Sequence, residues 1–94
     1  MAVNQVRASH ILVNTEKEAS DILAQLKDGK KFADMAKQFS SCPSGKEGGD
    51  LGYFGRGQMV PEFERAAFSM KKGQTSPPVR TPFGYHIIMV TDTK

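Results

Sequence analysis

The feature that most constrains the fold of this chain is the order in which strand-like and helix-like hydrophobic patterns follow one another. Residues 6–13 alternate between two faces, which is typical of a β-strand. Thr15 and Glu18 form a capping box ahead of apolar residues spaced for one helix face, and Gly29 supplies the stop, so an amphipathic helix is predicted between them. The same spacing recurs over residues 32–39, which predicts a second helix directly afterwards.

The second half of the sequence reads as a loop, a helix and a hairpin. Residues 40–57 are rich in Ser, Gly and Pro, which predicts a long ordered loop that includes a short strand at 51–54. Pro61 suits the first turn of a third helix, which should end near Met70. Two more strands are predicted, at 79–81 and 85–90. The order β, α, α, β, α, β, β indicates an α+β domain with an antiparallel sheet.

Length and composition favour one domain over residues 1–94, and we expect it to be a monomer. The single cysteine, Cys42, cannot form an internal disulfide, so nothing in the sequence indicates an oxidising compartment. Residues 1–13 lack an apolar core of signal-peptide length, and the longest apolar run, 87–90, is too short to span a bilayer. The expected location is therefore the cytoplasm.

Two histidines are the main candidates for chemistry. His10 lies in the first predicted strand and His86 in the last, each beside aliphatic residues, so each half-buried imidazole needs a hydrogen-bond partner. If these strands pair in the middle of the sheet, the imidazoles meet on one face, with Ser9, Thr81 or each other as partners. Taken alone, a strand histidine is more often a satisfied core residue than a catalyst, and spacing alone does not bring the two together.

Five motifs, taken together in this order, resemble those of the parvulin family of peptidyl-prolyl cis/trans isomerases. They are ASHILV at 8–13, FSSCPS at 39–44, GGDLGYF at 48–54, GQMVPEF at 57–63 and FGYHII at 83–88. The resemblance extends from Ala8 to Val90 and is greatest to small stand-alone parvulins of bacteria and archaea. It implies a four-stranded antiparallel sheet wrapped by three to four helices, as in parvulins and FKBP-like proteins. It also implies rotamase activity on X-Pro bonds in peptides and folding proteins, without a cofactor or a metal.

The resemblance also implies the residues of the site. The catalytic positions are His10, Cys42, Thr81 and His86, where Cys42 occupies a position that is Cys or Asp in the family. The pocket for the proline ring is implied at Leu51, Met59, Phe63 and Phe83, the last at its rim. An apolar pocket suits a ring that offers only CH groups. Met59 and Phe63 also fit the ordinary core of the third helix.

We expect non-covalent catalysis on unphosphorylated substrates. His10 and His86 should hold the sheet and tune Cys42 and Thr81 through hydrogen bonds, without attack by a Cys42 thiolate. Parvulins that require phosphorylated substrates carry basic residues between the first strand and first helix. Here that loop is Asn14 and Thr15 and leads straight into an acidic residue, so no such requirement is predicted.

Other functions compete with this hypothesis. A non-catalytic, chaperone-like module that binds proline-containing segments is the main alternative. A cysteine hydrolase or a Cys-His-His metal site at His10, Cys42 and His86 is less favoured, because the spacing is not local and no oxyanion-hole motif is evident.

The lysines suggest which partners to expect. They lack the interleaved aromatic residues of a single-strand nucleic-acid platform, so no nucleic acid is expected. A basic helical face could instead dock on an anionic membrane surface or an acidic protein. The lysines of that face are Lys27, Lys30, Lys31 and Lys37.

Overall fold

A computed structural model describes residues 4–94, and the secondary structure follows the predicted order. The strands are β1 (Gln5–Val13), β2 (Asp50–Gly55), β3 (Val79–Thr81) and β4 (Gly84–Thr93). The α-helices are α1 (Glu16–Lys27), α2 (Phe32–Phe39) and α3 (Pro61–Ser69), and Pro43–Glu47 forms a 3-10 helix. The predicted fold class is confirmed. A domain that spans 1–94 stays a prediction, since residues 1–3 lie outside the described part.

The four strands form one antiparallel sheet in the order β2-β1-β4-β3. The first and last strands of the chain are therefore the two central ones. In their register Leu12 lies opposite His86, and His10 lies opposite Ile88. His10 and His86 are thus diagonal neighbours on one face of the sheet, within reach of each other's side chains.

Helices cover both faces of the sheet. The first face packs on α1 and α2 through a cluster of buried residues: Ile11, Val13, Ala19, Ile22, Phe32, Met35, Ala36 and Ile87. The second face packs on α3 through another cluster: Val6, Ala8, Phe54, Phe63, Ala67, Ile88 and Val90. Both histidines lie on the second face. Successive side chains of a strand point to opposite faces, and His10 and His86 are the direct neighbours of Ile11 and Ile87, which lie on the first face.

Several element boundaries differ from the predictions. β4 continues past Val90 to Thr93, because Asp92 pairs with Arg7 in β1 although polar residues interrupt the apolar pattern. The predicted loop also contains an unpredicted 3-10 helix. Pro43 lies in its first turn, and Gly48 ends it with a φ of 75° that suits glycine.

The start of α1 has one of the two hydrogen bonds of the predicted capping box, and the second bond joins the two side chains instead. The N–H of Glu18 donates to Oγ1 of Thr15 over 3.2 Å, and the Thr15 hydroxyl reaches the Glu18 carboxylate over 3.1 Å. Between residues 4 and 94, no helix combines the length and apolar character that a membrane crossing requires.

Candidate active site

The two central strands bring His10 and His86 into direct contact. Their Nδ1 atoms are 2.9 Å apart, and their rings lie nearly parallel, at 16° with centroids separated by 5.1 Å. Each side chain is buried, with 5% of its residue surface exposed. The two residues are 76 positions apart in sequence, and the β1–β4 register is what places them together.

Thr81 supports the histidine pair from the β3–β4 hairpin. Its Oγ1 lies 2.7 Å from Nε2 of His86, and the backbone N–H of Phe83 donates to the same oxygen over 3.2 Å. Thr81 is buried at 7% exposure and lies behind His86. Thr81 can therefore orient the imidazole of His86. It is not among the residues that line the adjacent cavity.

Ser44 links the histidine pair to Cys42. The Oγ atom of Ser44 is 3.2 Å from Nε2 of His10, and its hydroxyl donates to Sγ of Cys42 over 3.3 Å. Ser44 is not among the predicted site residues, although it closes the motif at 39–44. The 3-10 helix brings residues 42 and 44 side by side, and the composition of this segment predicts a loop without specifying that turn.

The loop that carries Cys42 is fastened to β1 on either side of it. Oγ of Ser40 accepts hydrogen bonds from the backbone N–H groups of Leu12 and Cys42, over 3.1 and 3.3 Å. At the other end, the N–H of His10 donates to the carbonyl of Gly49 over 2.9 Å. Gly49 has a φ of 84°, and a Cβ there would lie 2.3 Å from the His10 carbonyl oxygen. Glycine is required at this position.

An apolar cavity of about 370 Å³ opens beside the histidine pair. It is lined by His10, Leu12, Cys42, Leu51, Gln58, Met59, Val60, Phe63, Phe83 and His86. All four residues predicted to bind substrate are present, whereas Leu12, Gln58 and Val60 were not expected. Phe83 is 68% exposed, as a residue at the rim would be.

Phe63 belongs to both the cavity and the core, so its two interpretations do not exclude each other. It is 2% exposed and presents its ring at a steep angle to His10 and to His86, with centroids 5.5 and 5.4 Å away. Its ring also packs edge-on against Phe54, at 5.9 Å. Phe63 therefore couples the cavity wall to the α3 side of the core.

The site is electrically neutral. Burial, with a smaller effect from the neighbouring imidazole, lowers the pKa of His10 from 6.5 to about 4. Burial also lowers the pKa of His86. The cavity lining includes no Asp, Glu, Lys or Arg. Both imidazoles are thus uncharged at neutral pH, in a wall of low polarity.

The geometry does not favour the hydrolase or the metal site. In the described chain Cys42 reaches the histidines through Ser44 and has no direct hydrogen bond to either imidazole. A cysteine nucleophile needs a base within hydrogen-bond reach. No group of three or more His, Cys, Asp or Glu side chains within residues 4–94 is arranged to hold a metal.

A family model and curated relatives both match nearly the whole length of this chain. A protein-family model described as "Rotamase: PPIC-type PPIASE domain" matches residues 5–92. The chain is 57% identical over 89 residues to the foldase protein PrsA of Geobacillus sp. (strain WCH70), which covers 94% of this chain and 32% of that protein. The chain thus spans about a third of the length of the curated relatives it matches.

Solved structures match over the whole fold. The crystal structure of the peptidylprolyl isomerase PrsA from Bacillus anthracis has a TM-score of 0.95 at 50% identity, and the match covers 98% of this chain and 43% of that one. The solution structure of NmPin, the parvulin of Nitrosopumilus maritimus, has a TM-score of 0.86 at 46% identity. That match covers 95% of this chain and 97% of NmPin.

Proposed function

Because this chain belongs to the PPIC-type peptidyl-prolyl cis/trans isomerase family, the parvulins, we propose that it isomerises X-Pro bonds in peptides and folding proteins. One observation carries the proposal: an apolar cavity whose wall contains a neutral, hydrogen-bonded histidine pair. Such a cavity can hold a pyrrolidine ring and receive the amide that precedes it.

The reaction requires no bond to be broken. The barrier to rotation about a peptide bond is ~18–20 kcal/mol and arises from amide resonance. An acceleration of ~10⁴ needs ~5.5 kcal/mol of stabilisation that acts on the twisted amide and not on the planar forms. The twisted amide has lost its conjugation, so its carbonyl is less polar than that of the planar amide. An apolar, uncharged cavity therefore favours the twisted state.

The cavity also holds one side of the rotating bond. Leu51, Met59 and Phe63 form a wall into which the proline ring fits, while Phe83 at the mouth contacts the chain outside it. With the ring fixed, rotation is confined to the segment before proline, which lowers the entropic part of the barrier. Met59 suits this role because its side chain adapts to irregular apolar surfaces.

The polar residues of the site act without covalent chemistry in this proposal. Cys42 lines the cavity and is a polar neighbour for the substrate carbonyl. His10, His86 and Thr81 hold the wall behind it through hydrogen bonds and keep it neutral.

We propose further that substrates are unphosphorylated. α1 begins at Glu16, and its first turn carries Glu16 and Glu18, which would repel a phosphate at that loop. The cavity itself offers no lysine or arginine to pair with one. The rate of isomerisation should therefore be no higher for a phosphoserine-proline peptide than for its serine-proline parent, and a strong preference for the phosphopeptide would contradict this.

A refolding assay tests the activity in a folding protein. Refolding that is limited by a slow X-Pro bond should accelerate in proportion to the amount of this chain added. A matched control is Met59→Glu, which places a charge in the apolar cavity and should abolish the acceleration. Binding of the unfolded chain without any acceleration would instead identify the non-catalytic, chaperone-like module.

The compartment and the assembly state are proposals as well. Cys42 is a free thiol that accepts a hydrogen bond within the site, and a reducing compartment such as the cytoplasm preserves it. Cell fractionation tests that location. We propose a monomer, which sedimentation equilibrium tests over a range of concentrations.

A basic face supplies one further partner proposal. Its lysines, all exposed, are Lys27, Lys30, Lys31 and Lys37. They support docking on an anionic membrane surface or on an acidic protein. Flotation with anionic liposomes at low and high salt tests the first partner, and binding to a polyglutamate column tests the second. Absence of salt-sensitive binding in both would leave an ordinary solvated face.

A further inference from the structure

Part of the cavity wall is a short loop, residues 56–60, between β2 and α3. β2 ends at Gly55 and α3 begins at Pro61. Three side chains of the loop, those of Gln58, Met59 and Val60, line the cavity. Loops are held by fewer contacts than the helices and strands that they connect, and they open more easily. The shape of this wall therefore depends on what attaches the loop to the rest of the protein.

Glu64 reaches back from α3 to the middle of the loop. Its Oε1 accepts a hydrogen bond from the backbone N–H of Gly57. Gly57 has a φ of 85°, a left-handed conformation that suits glycine. The backbone N–H of Glu64 also donates to the carbonyl of Val60 over 3.0 Å, at the end of the loop. A hydrogen bond that a carboxylate accepts is stronger than one between neutral groups. The half-buried Glu64 side chain is thus a clasp between α3 and the loop.

Two weaker contacts attach the loop to the elements on either side of it. The N–H of Gly55 donates to Oε1 of Gln58 over 2.6 Å, which folds the loop onto the end of β2. The Arg56 guanidinium lies 4.4 Å from the ring centroid of Phe68 on α3. The Phe68 ring packs edge-on against buried Phe54 in β2, at 6.0 Å. Since these contacts remain when the clasp is removed, its loss should loosen the loop without detaching it.

We infer that Glu64 is a positioning residue, which keeps the loop in the arrangement that completes the cavity wall. Within residues 4–94 the cavity lining does not include Glu64, so any effect on substrate passes through the loop. If the loop is in place for only part of the time, the apparent affinity for substrate falls by that fraction. Once substrate is bound the wall is the same, so the rotation step is unchanged. This kinetic consequence rests on the proposed function, whereas the attachment of the loop does not.

Hydrogen exchange of the Gly57 amide, measured by NMR on the full chain, tests the attachment. Glu64→Ala removes the acceptor of this amide, so its exchange should accelerate by about three- to tenfold. Glu64→Gln keeps a side-chain carbonyl oxygen and should preserve most of the protection. Glu62→Ala is the matched control, because Glu62 is an exposed acidic residue in the first turn of the same helix. It should leave the exchange of the Gly57 amide unchanged.

Kinetics on an unphosphorylated X-Pro peptide separate positioning from a general loss of helix stability. Glu64→Ala should raise KM by about three- to tenfold and keep kcat within about twofold of the wild type. Glu64→Gln and Glu62→Ala should keep KM close to the wild-type value. Both alanine variants remove a first-turn acid, so an effect on the helix alone would appear in both.

Three results would overturn the inference. They are unchanged exchange of the Gly57 amide in Glu64→Ala, an unchanged KM in that variant, and an equal rise of KM in Glu62→Ala. A wild type without isomerase activity would refute the proposed function, and exchange of the Gly57 amide would still decide whether Glu64 holds the loop.

Discussion

The imidazoles of His10 and His86 face each other with their Nδ1 atoms 2.9 Å apart, in a buried wall shared by the two central strands. This gap holds one proton. A second would bring two N–H donors head to head at a site where burial already disfavours charge. The pair is therefore a neutral support for the cavity, which agrees with a reaction that moves no proton.

Acidification should destabilise the fold through these histidines. The folded pKa of His10 is about 4 against an ordinary value of 6.5, and that of His86 is also lowered. Between these pH values the unfolded chain binds more protons, so stability is complete above about pH 6.5 and falls as the pH drops toward 4. The slope should reach up to ~1.4 kcal/mol per pH unit for each histidine.

Urea unfolding at several pH values measures this loss of stability, and NMR titration of the ring carbons assigns it. Asp50 and Asp92 have lowered pKa values and contribute at lower pH, below the window of the histidines. A His10 midpoint near 6.5, together with flat stability from pH 7 to 4, would show that the pair is not desolvated.

Substitutions of Cys42 should distinguish an acceptor from a nucleophile. Cys42→Asp keeps an acceptor for the Ser44 hydroxyl, and unlike Met59→Glu it places its charge beside that polar partner, so most of the isomerase activity should remain. Cys42→Ala removes the acceptor and the polar neighbour of the substrate, and its kcat/KM should fall by roughly tenfold. The measurement is kcat/KM on one unphosphorylated peptide. Complete loss in the Asp variant would indicate that the thiol itself reacts.

Met59 and Phe63 should respond differently to truncation although both line the cavity. Met59 is half-buried, so Met59→Ala should lower kcat/KM by roughly tenfold, about 1.4 kcal/mol, while stability changes little. Phe63 is 2% exposed, so Phe63→Ala should cost ~3–5 kcal/mol of folding free energy. Thermal unfolding beside kinetics separates the two effects. An unchanged kcat/KM for Met59→Ala would remove that residue from the substrate pocket.

Thr81 should contribute through its hydroxyl and not through its methyl group. Thr81→Val leaves Nε2 of His86 without its hydrogen-bond partner in a buried site, which should cost ~1–3 kcal/mol of stability. Thr81→Ser keeps the hydroxyl and should lose much less. Chemical denaturation of both variants is the measurement, and equal losses would mean that only the shape of the side chain matters.

Much of the fold can be predicted from the sequence because short-range patterns mark where its strands and helices begin and end. Alternation over residues 6–13 and the capping box at Thr15 predict β1 and the start of α1 without knowledge of any tertiary contact. The resemblance of the five motifs to parvulins then supplied the long-range part, the four-stranded antiparallel sheet. Periodicity alone does not predict that the imidazoles of His10 and His86 are in contact, because this contact depends on the register of β1 with β4.

What could not be predicted depends on how the loops fold back. Ser44 reaches His10 because a short 3-10 helix begins at Pro43, and no periodicity marks such an element. Val60 and Gln58 enter the cavity from the segment before α3, where the sequence indicates only the approach to a helix. β4 runs past Val90 because backbone pairing with β1 continues where side-chain alternation stops.

Exchange NMR on a short unphosphorylated X-Pro peptide tests the central claim most directly. In two-dimensional spectra, cross-peaks between the cis and trans forms should appear with a catalytic amount of this chain and be absent without it, because spontaneous exchange takes tens to hundreds of seconds. Met59→Glu should suppress the cross-peaks by blocking the cavity. Broadened peptide signals without exchange cross-peaks would contradict the account and identify a module that binds X-Pro segments but does not isomerise them.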